Sequence, residues 1–360
     1  MCGDLSPLDD RAGWRDHADV DEASAGAAST LAPALTSRVL PPADIPVIDI
    51  GPLIDRSDPM GVADAIGNAC ERTGFFYVRG HGVDPQLVAR AFEMAARFFA
   101  RPLAEKDALH IVGSGLALRG YTPLFGENVD PDKSRDFKEC FDLGGDETEV
   151  SPFFGPNRMP AKPEAFQAVF ERYHAEMLTL GHRLVGAIAL SLGLAEDHFA
   201  AHQQRPMAIQ RLLHYPSQAG VIEEEEIGIG AHTDYGLLTI LAQDAVGGLQ
   251  IRHRDGGWIS APPIEGAFVV NIGDLVQTLT NDRYVSTLHR VVNASGRERY
   301  SLPFFFDLDY DAVVEVLPIC TRDDDPPRYA PYVSGAHKFA RYAASYAHLR
   351  EGRHEGMDPG

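Results

Sequence analysis

The chain has 360 residues, more than one typical domain, although large β-barrels exceed 200 residues as single domains, and its 44% hydrophobic content supports a full globular core. Fifty-two acidic against 32 basic residues give a formal net charge of −20, which repels a polyanionic duplex and argues against a nucleic-acid partner. No apolar run is long enough to span a bilayer, which argues against a membrane partner.

Residues 1–43 are rich in Ala, Asp, Ser and Pro without an apolar period, and a mobile tail is expected there. Its acidic start (Asp4, Asp9, Asp10) does not resemble a signal peptide. IPVIDI (45–50) reads as a strand, 60–73 as a helix, and GFFYVRGHGV (74–83) as a buried strand leaving through a Gly-rich turn. Residues 84–100 show helical spacing. Residues 105–135, rich in Gly, Pro and charge, are expected to form an irregular segment over a site, and KECFDL (138–143) another strand. One long scaffold helix runs from Pro163 to Leu194. From about 206 the texture changes to short apolar runs bounded by turn residues: AIQRLLHYP, GIGAHTD, GLLTILAQD, GLQIRHRDGGW, AFVVNIGD, VQTLTN, VSTLHRVVN and RYSLPFFF. Such a succession argues for a β-sandwich or barrel. A last helix covers about 335–348. Cys2, Cys70, Cys140 and Cys320 lack any metal or disulfide spacing, so a reducing, cytoplasmic setting is expected.

The chemistry concentrates in three short motifs. In His232-Thr233-Asp234 the imidazole and carboxylate sit at i and i+2, on one face of a strand. His289 follows Asp234 by 55 residues, on a separate expected strand. Two histidines and one carboxylate leave half of an octahedron open, the arrangement used by non-haem Fe(II) oxygenases. Arg299 and Ser301 share a face of the next strand, and a guanidinium fork with an adjacent hydroxyl suits a carboxylate.

The order and spacing resemble the isopenicillin N synthase-like 2-oxoglutarate/Fe(II) oxygenases over about 45–345, including IPVIDI, GFFYVRGHGV, HYP, GAHTDYGLLTILAQD, LHRVVN and RYSLPFFF. The resemblance implies a mainly β fold, a double-stranded β-helix (jelly-roll) core with flanking helices. Its expected divisions are a tail (1–43), flanking strands and helices (44–205), the core (206–310), a closing strand and helix (311–348) and a second tail (349–360). It implies Fe(II) on His232, Asp234 and His289, and 2-oxoglutarate contacts at Arg299, Ser301 and Tyr215, with dioxygen as co-reactant. Many plant members carry Asn two residues before that Tyr; here Leu213 stands there, and alternation aims His214 the other way.

Arg211 shares the parity of Tyr215 and is a candidate partner for a substrate carboxylate, against a plain ion pair at the barrel rim. Tyr121 and Glu139 are weaker substrate candidates, and Phe304 and Phe306 are core or pocket wall. The acidic run Glu223–Glu226 is read as a solvated loop. The expected reaction is hydroxylation, desaturation or cyclisation of a small metabolite, such as an amino acid, peptide or other carboxylate. Composition and family habit suggest bacterial secondary metabolism, for instance antibiotic biosynthesis. Alternatives are a 2-oxoglutarate-independent oxidase, an ethylene-forming type of enzyme, and, from another class, a non-catalytic jelly-roll binding protein.

Overall fold

β-branched and aromatic side chains pack well on a pleated surface, and the short runs rich in them form the strands that hold the site. The computed structural model describes residues 30–38, 45–130, 134–218, 220–346 and 348–349. In chain order the principal elements are β1 (Val47–Asp49), α1 (Pro59–Arg72), β2 (Phe75–Arg79), α2 (Pro85–Phe99), β3 (Gly120–Thr122), β4 (Glu139–Gly144), α3 (Phe166–Ser191) and β5 (Ile209–Tyr215). They continue with β6 (Ile229–His232), β7 (Leu238–Gln243), β8 (Leu249–Arg252), β9 (Trp258–Ser260), β10 (Phe268–Ile272), α4 (Asp274–Leu279), β11 (His289–Val291), β12 (Arg299–Phe306) and α5 (Ser334–Ser345).

Eight strands form a major sheet in the order β1-β2-β10-β7-β12-β5-β4-β3, and four form a minor sheet in the order β6-β11-β8-β9. Chain-distant strands are neighbours in both, as expected of a jelly roll. One face of the major sheet packs on α1, α2 and α3 through the largest apolar cluster, which includes Phe98, Phe141, Tyr173, Leu184, Phe304 and Phe306. Phe306 reaches α3 because Gly181 lies beneath it: a Cβ there would stand 2.7 Å from the Phe306 ring. A smaller cluster, including Phe75, Leu213, Tyr215, Ile251 and Val291, lies between the two sheets.

Two expectations need correction. The tail expected over 1–43 does not hold for 30–38. Thr30–Leu31 pairs in parallel with Val221–Ile222, and Leu35 is fully buried. The Leu35 carbonyl accepts from Gln250 at 3.0 Å and the Ala34 carbonyl from Arg290 at 2.8 Å. Leu35, with Leu31 and Ala32 packed into the same small cluster, and hydrogen bonds to its backbone hold this stretch, so it needs no periodic pattern. Residues 1–29 and 39–43, and the expected tail from 350 on, lie outside the described residues. VQTLTN (276–281) is not a strand: α4 covers its first part, burying Leu275, Val276 and Leu279. A short apolar run fits either period, and Gly273 ends the preceding strand. Among the described residues no helix is long and apolar enough to cross a membrane, and Cys70, Cys140 and Cys320 are free thiols.

Candidate active site

Strand register brings the three ligand candidates together. His232 and His289 are direct cross-strand partners on β6 and β11, with their ring centroids 4.2 Å apart. Asp234 follows the end of β6, where its carbonyl accepts the Asp274 amide that opens α4, at 2.9 Å. One ligand atom from each of His232, Asp234 and His289 lies within 4.8 Å of the others. Both Nε2 atoms stand 3.7 Å from Asp234 Oδ1, a separation that an ion bonded at about 2.1 Å to each atom spans.

Hydrogen bonds fix which atoms face the centre. His232 Nδ1 lies 2.8 Å from the Gly230 carbonyl and His289 Nδ1 lies 3.1 Å from the Thr287 carbonyl. A carbonyl only accepts, so Nδ1 carries the proton and each Nε2 presents its lone pair. Asp234 Oδ2 accepts from Thr239 at 2.6 Å and Asn271 at 2.7 Å, which leaves Oδ1 for the centre. Thr239 and Asn271 are themselves cross-strand partners on β7 and β10. Burial works against the charged form of His232, and the neighbouring His289 adds to it, bringing the pKa down to about 4. Burial opposes ionisation of Asp234, but the two imidazoles and the two donors outweigh it and hold this carboxyl below its ordinary value. Two imidazoles with Nε2 turned inward and one carboxylate make a donor set suited to a divalent cation.

Two lobes open from this centre. The first, about 590 Å³, is lined by Phe75, Leu213, Tyr215, Leu249, Arg299 and Ser301 among others. Arg299 is fully buried. Its two terminal nitrogens donate to Ser301 Oγ and Gln243 Oε1, each at 3.2 Å, and its Nε has no partner. Among the described residues no carboxylate forms an ion pair with it. Its guanidinium lies 4.6 Å from the centre of the Tyr215 ring, its cross-strand partner. Burial raises the Tyr215 pKa, so this phenol stays protonated. A buried cation with an unmatched donor, beside two hydroxyls, is a receptor for an anionic group. Leu213 is the cross-strand partner of Ser301 and lines the same lobe, so the missing amide donor falls within it.

The second lobe, about 490 Å³, shares His232, Asp234 and Arg211 with the first and adds Glu127, Tyr235, Asp307, Lys338 and Tyr342. Here the structure corrects the weaker candidates. Arg211 faces both lobes, but all three of its nitrogens are engaged. Its Nε and one terminal nitrogen bond Asp142 at 2.7 and 2.9 Å, and that nitrogen also bonds the Tyr346 hydroxyl at 2.7 Å. The other terminal nitrogen spans both Glu127 oxygens at 3.1 and 2.9 Å. Tyr121 and Glu139 line neither lobe. Glu139 is held by Lys106, by the Tyr121 hydroxyl and by His214, on the outer side of β5 where alternation puts His214. Phe304 and Phe306 face the helices, while their neighbours Pro303 and Phe305 line the cavity with Arg299 and Ser301. Sequence reasoning missed Thr239, Asn271 and Gln243, whose only signal was a polar side chain inside an apolar strand. It also missed Glu127, Asp307 and Lys338, for which the local sequence carries no signal.

Residues 45–162 match the family described as non-haem dioxygenase in morphine synthesis N-terminal, and 206–308 match the 2OG-Fe(II) oxygenase superfamily. The chain is 36% identical over 326 residues to the 2-oxoglutarate-Fe(II) type oxidoreductase hxnY of Emericella nidulans, spanning 85% of this chain and 93% of that one. The chain belongs to the 2-oxoglutarate/Fe(II) oxygenases of the isopenicillin N synthase-like type. This oxygenase is also 35% identical to homoarginine-6-hydroxylase 2-ODD-C23 of Glycine max, over 85% of this chain and 98% of that one. Among solved structures, a full-length Neurospora crassa protein in complex with alpha-KG is similar, with a TM-score of 0.75 and 30% identity over 84% of this chain and 96% of that one. The same Neurospora crassa protein in complex with alpha-KG and thymine gives 0.75 and 29%, over 84% and 97%. As a member of this family the oxygenase uses Fe(II) and 2-oxoglutarate to oxidise a small molecule.

Proposed function

We propose that His232, Asp234 and His289 hold the Fe(II), and that Arg299, Ser301 and Tyr215 bind the distal carboxylate of 2-oxoglutarate in the first lobe. The observation that carries this reading is a buried guanidinium without a carboxylate partner, in the cavity that the three ligand candidates close. Bound iron supplies oxygen activation coupled to the oxidative decarboxylation of 2-oxoglutarate. The chain supplies position and shielding. Thr239 and Asn271 fix the Asp234 carboxylate, the Gly230 and Thr287 carbonyls fix the imidazoles, and Phe75, Leu249 and Val291 keep water from the reacting atoms.

The substrate is oxidised from the second lobe, by hydroxylation, desaturation or cyclisation. One relative is named for homoarginine, a carboxylate-bearing amino acid, but in this chain Arg211 has its nitrogens engaged and offers a substrate carboxylate no free partner. A cytoplasmic location and a role in secondary metabolism belong to the same proposal and rest on composition. The test is oxygen uptake by the Fe(II)-loaded protein with 2-oxoglutarate, scored for succinate. Succinate equal to oxygen consumed is expected. Oxygen uptake without succinate indicates the four-electron oxidase, ethylene in the headspace indicates cosubstrate fragmentation, and failure to bind iron indicates a binding protein.

A further inference from the structure

The two lobes differ in one electrostatic respect. The first contains Arg299, with which no carboxylate forms an ion pair among the described residues and whose Nε has no partner. In the second, each cation on the wall is already matched. Arg211 has all three nitrogens bonded, to Asp142, Glu127 and the Tyr346 hydroxyl. Lys338 bonds Asp307, and both side chains are almost completely buried. The carboxylates are matched in turn. Glu127 takes Arg211 and Lys138, and its pKa lies near 2 because these cations outweigh the cost of burial. Asp307 gives its other oxygen to the Leu237 amide at 2.5 Å.

Among the residues that line this lobe, an entering carboxylate meets no unpaired cation, and an ammonium or guanidinium meets no unpaired anion other than the Asp234 oxygen that faces the metal position. Either must break an existing buried pair, which costs more than a new contact returns. A neutral molecule escapes that cost. The remaining wall is mostly apolar: Val129 and Leu238 lie beside three aromatic rings, Phe305, Tyr235 and Tyr342, with the two tyrosine rings edge-to-face at 6.4 Å. Tyrosine hydroxyls give such a wall polar edges, and aromatic faces favour a flat partner.

We propose that the second lobe is selective for an uncharged, planar molecule with hydrogen-bonding edges, such as a neutral heteroaromatic or phenolic ring, and discriminates against carboxylates and free amino acids. This inference rests on the cofactor assignment proposed above. Its test uses the full chain loaded with Fe(II) and 2-oxoglutarate, and probe pairs that differ by a carboxylate: uracil and orotate, nicotinamide and nicotinate, with L-homoarginine as the amino-acid arm. The readout is probe-dependent succinate release above the rate without probe, together with the thermal shift. At least one uncharged ring is expected to act at a half-saturating concentration tenfold or more below its carboxylate counterpart, with homoarginine inactive in that range. A carboxylate member or homoarginine equal to or better than the neutral rings overturns the proposal, and so does a set in which no neutral ring acts.

A Glu127→Gln variant provides a second arm, because it removes one of the two carboxylates that neutralise Arg211. The carboxylate probes are expected to improve at least tenfold in it; no gain in a folded variant counts against the pairing argument. Should the variant not fold, the wild-type comparison decides alone. Loss of basal succinate and of stabilisation by 2-oxoglutarate marks failure of the cofactor assignment itself, and this inference falls with it. A carboxylate preference with both intact refutes the inference alone.

Discussion

Arg299→Met tests the anion-receptor reading because its effects on folding and on binding should separate. In the fold this guanidinium is fully buried and meets two neutral acceptors at 3.2 Å, with no carboxylate among the described residues and Nε unmatched. Exchanging an unmatched buried charge for an apolar side chain is neutral or stabilising. The melting temperature without 2-oxoglutarate should therefore hold or rise. Binding of 2-oxoglutarate should lose a buried, charge-assisted fork, a loss of about 3 kcal/mol, or a little over a hundredfold in affinity. Arg299→Lys keeps the charge but not the planar fork and should recover roughly a tenth of the wild-type affinity. Calorimetric titration of the cosubstrate under nitrogen, with melting curves for each variant, measures both effects. A variant that melts far earlier yet binds 2-oxoglutarate normally would refute the reasoning, since Arg299 would then be structural.

Three further outcomes are expected. Phe304→Ala should cost about 3–5 kcal/mol of stability by opening a cavity under the helices, whereas Phe305→Ala should mainly raise the substrate concentration needed for turnover. Chemical denaturation beside steady-state kinetics separates the two; equal stability losses would contradict the strand parity. Leu213→Asn puts an amide donor into the cosubstrate lobe and should lower the half-saturating 2-oxoglutarate concentration severalfold, so an increase counts against that placement. Glu127 has its pKa depressed to about 2 from 4.5, so it adds stability that is present above pH 4.5 and lost as pH falls through 2. Glu127→Gln should cost about 3 kcal/mol at neutral pH, with the gap to wild type closing toward pH 2. A gap independent of pH removes the ionic explanation.

The fold was legible where a local period governs it. β2, α2, α3, β5, β7, β10 and β12 fall where alternation or helical spacing puts them. The run 276–281 was misread because six residues fit either period and only the tertiary partner, Asp234, decides. Residues 30–38 were misread because one buried leucine, two partly buried neighbours and a few backbone bonds leave no pattern. The site divides the same way. His232, Asp234 and His289 were visible because metal chemistry restricts residue type and spacing. The state of Arg211 was not, because its partners come from positions 127, 142 and 346, and whether a charge is matched is a property of assembled segments. Phe304 and Phe306 were read as core or pocket wall; the parity of Arg299 decides for core and places Pro303 and Phe305 in the cavity.

Whether His232, Asp234 and His289 hold iron is measured by an anaerobic Fe(II) titration of the wild-type chain beside Asp234→Ala, each checked for native folding by circular dichroism. One tightly bound iron per wild-type chain is expected, and almost none in the variant. Full iron binding by a folded Asp234→Ala protein, or none by the wild type, would contradict this ligand assignment.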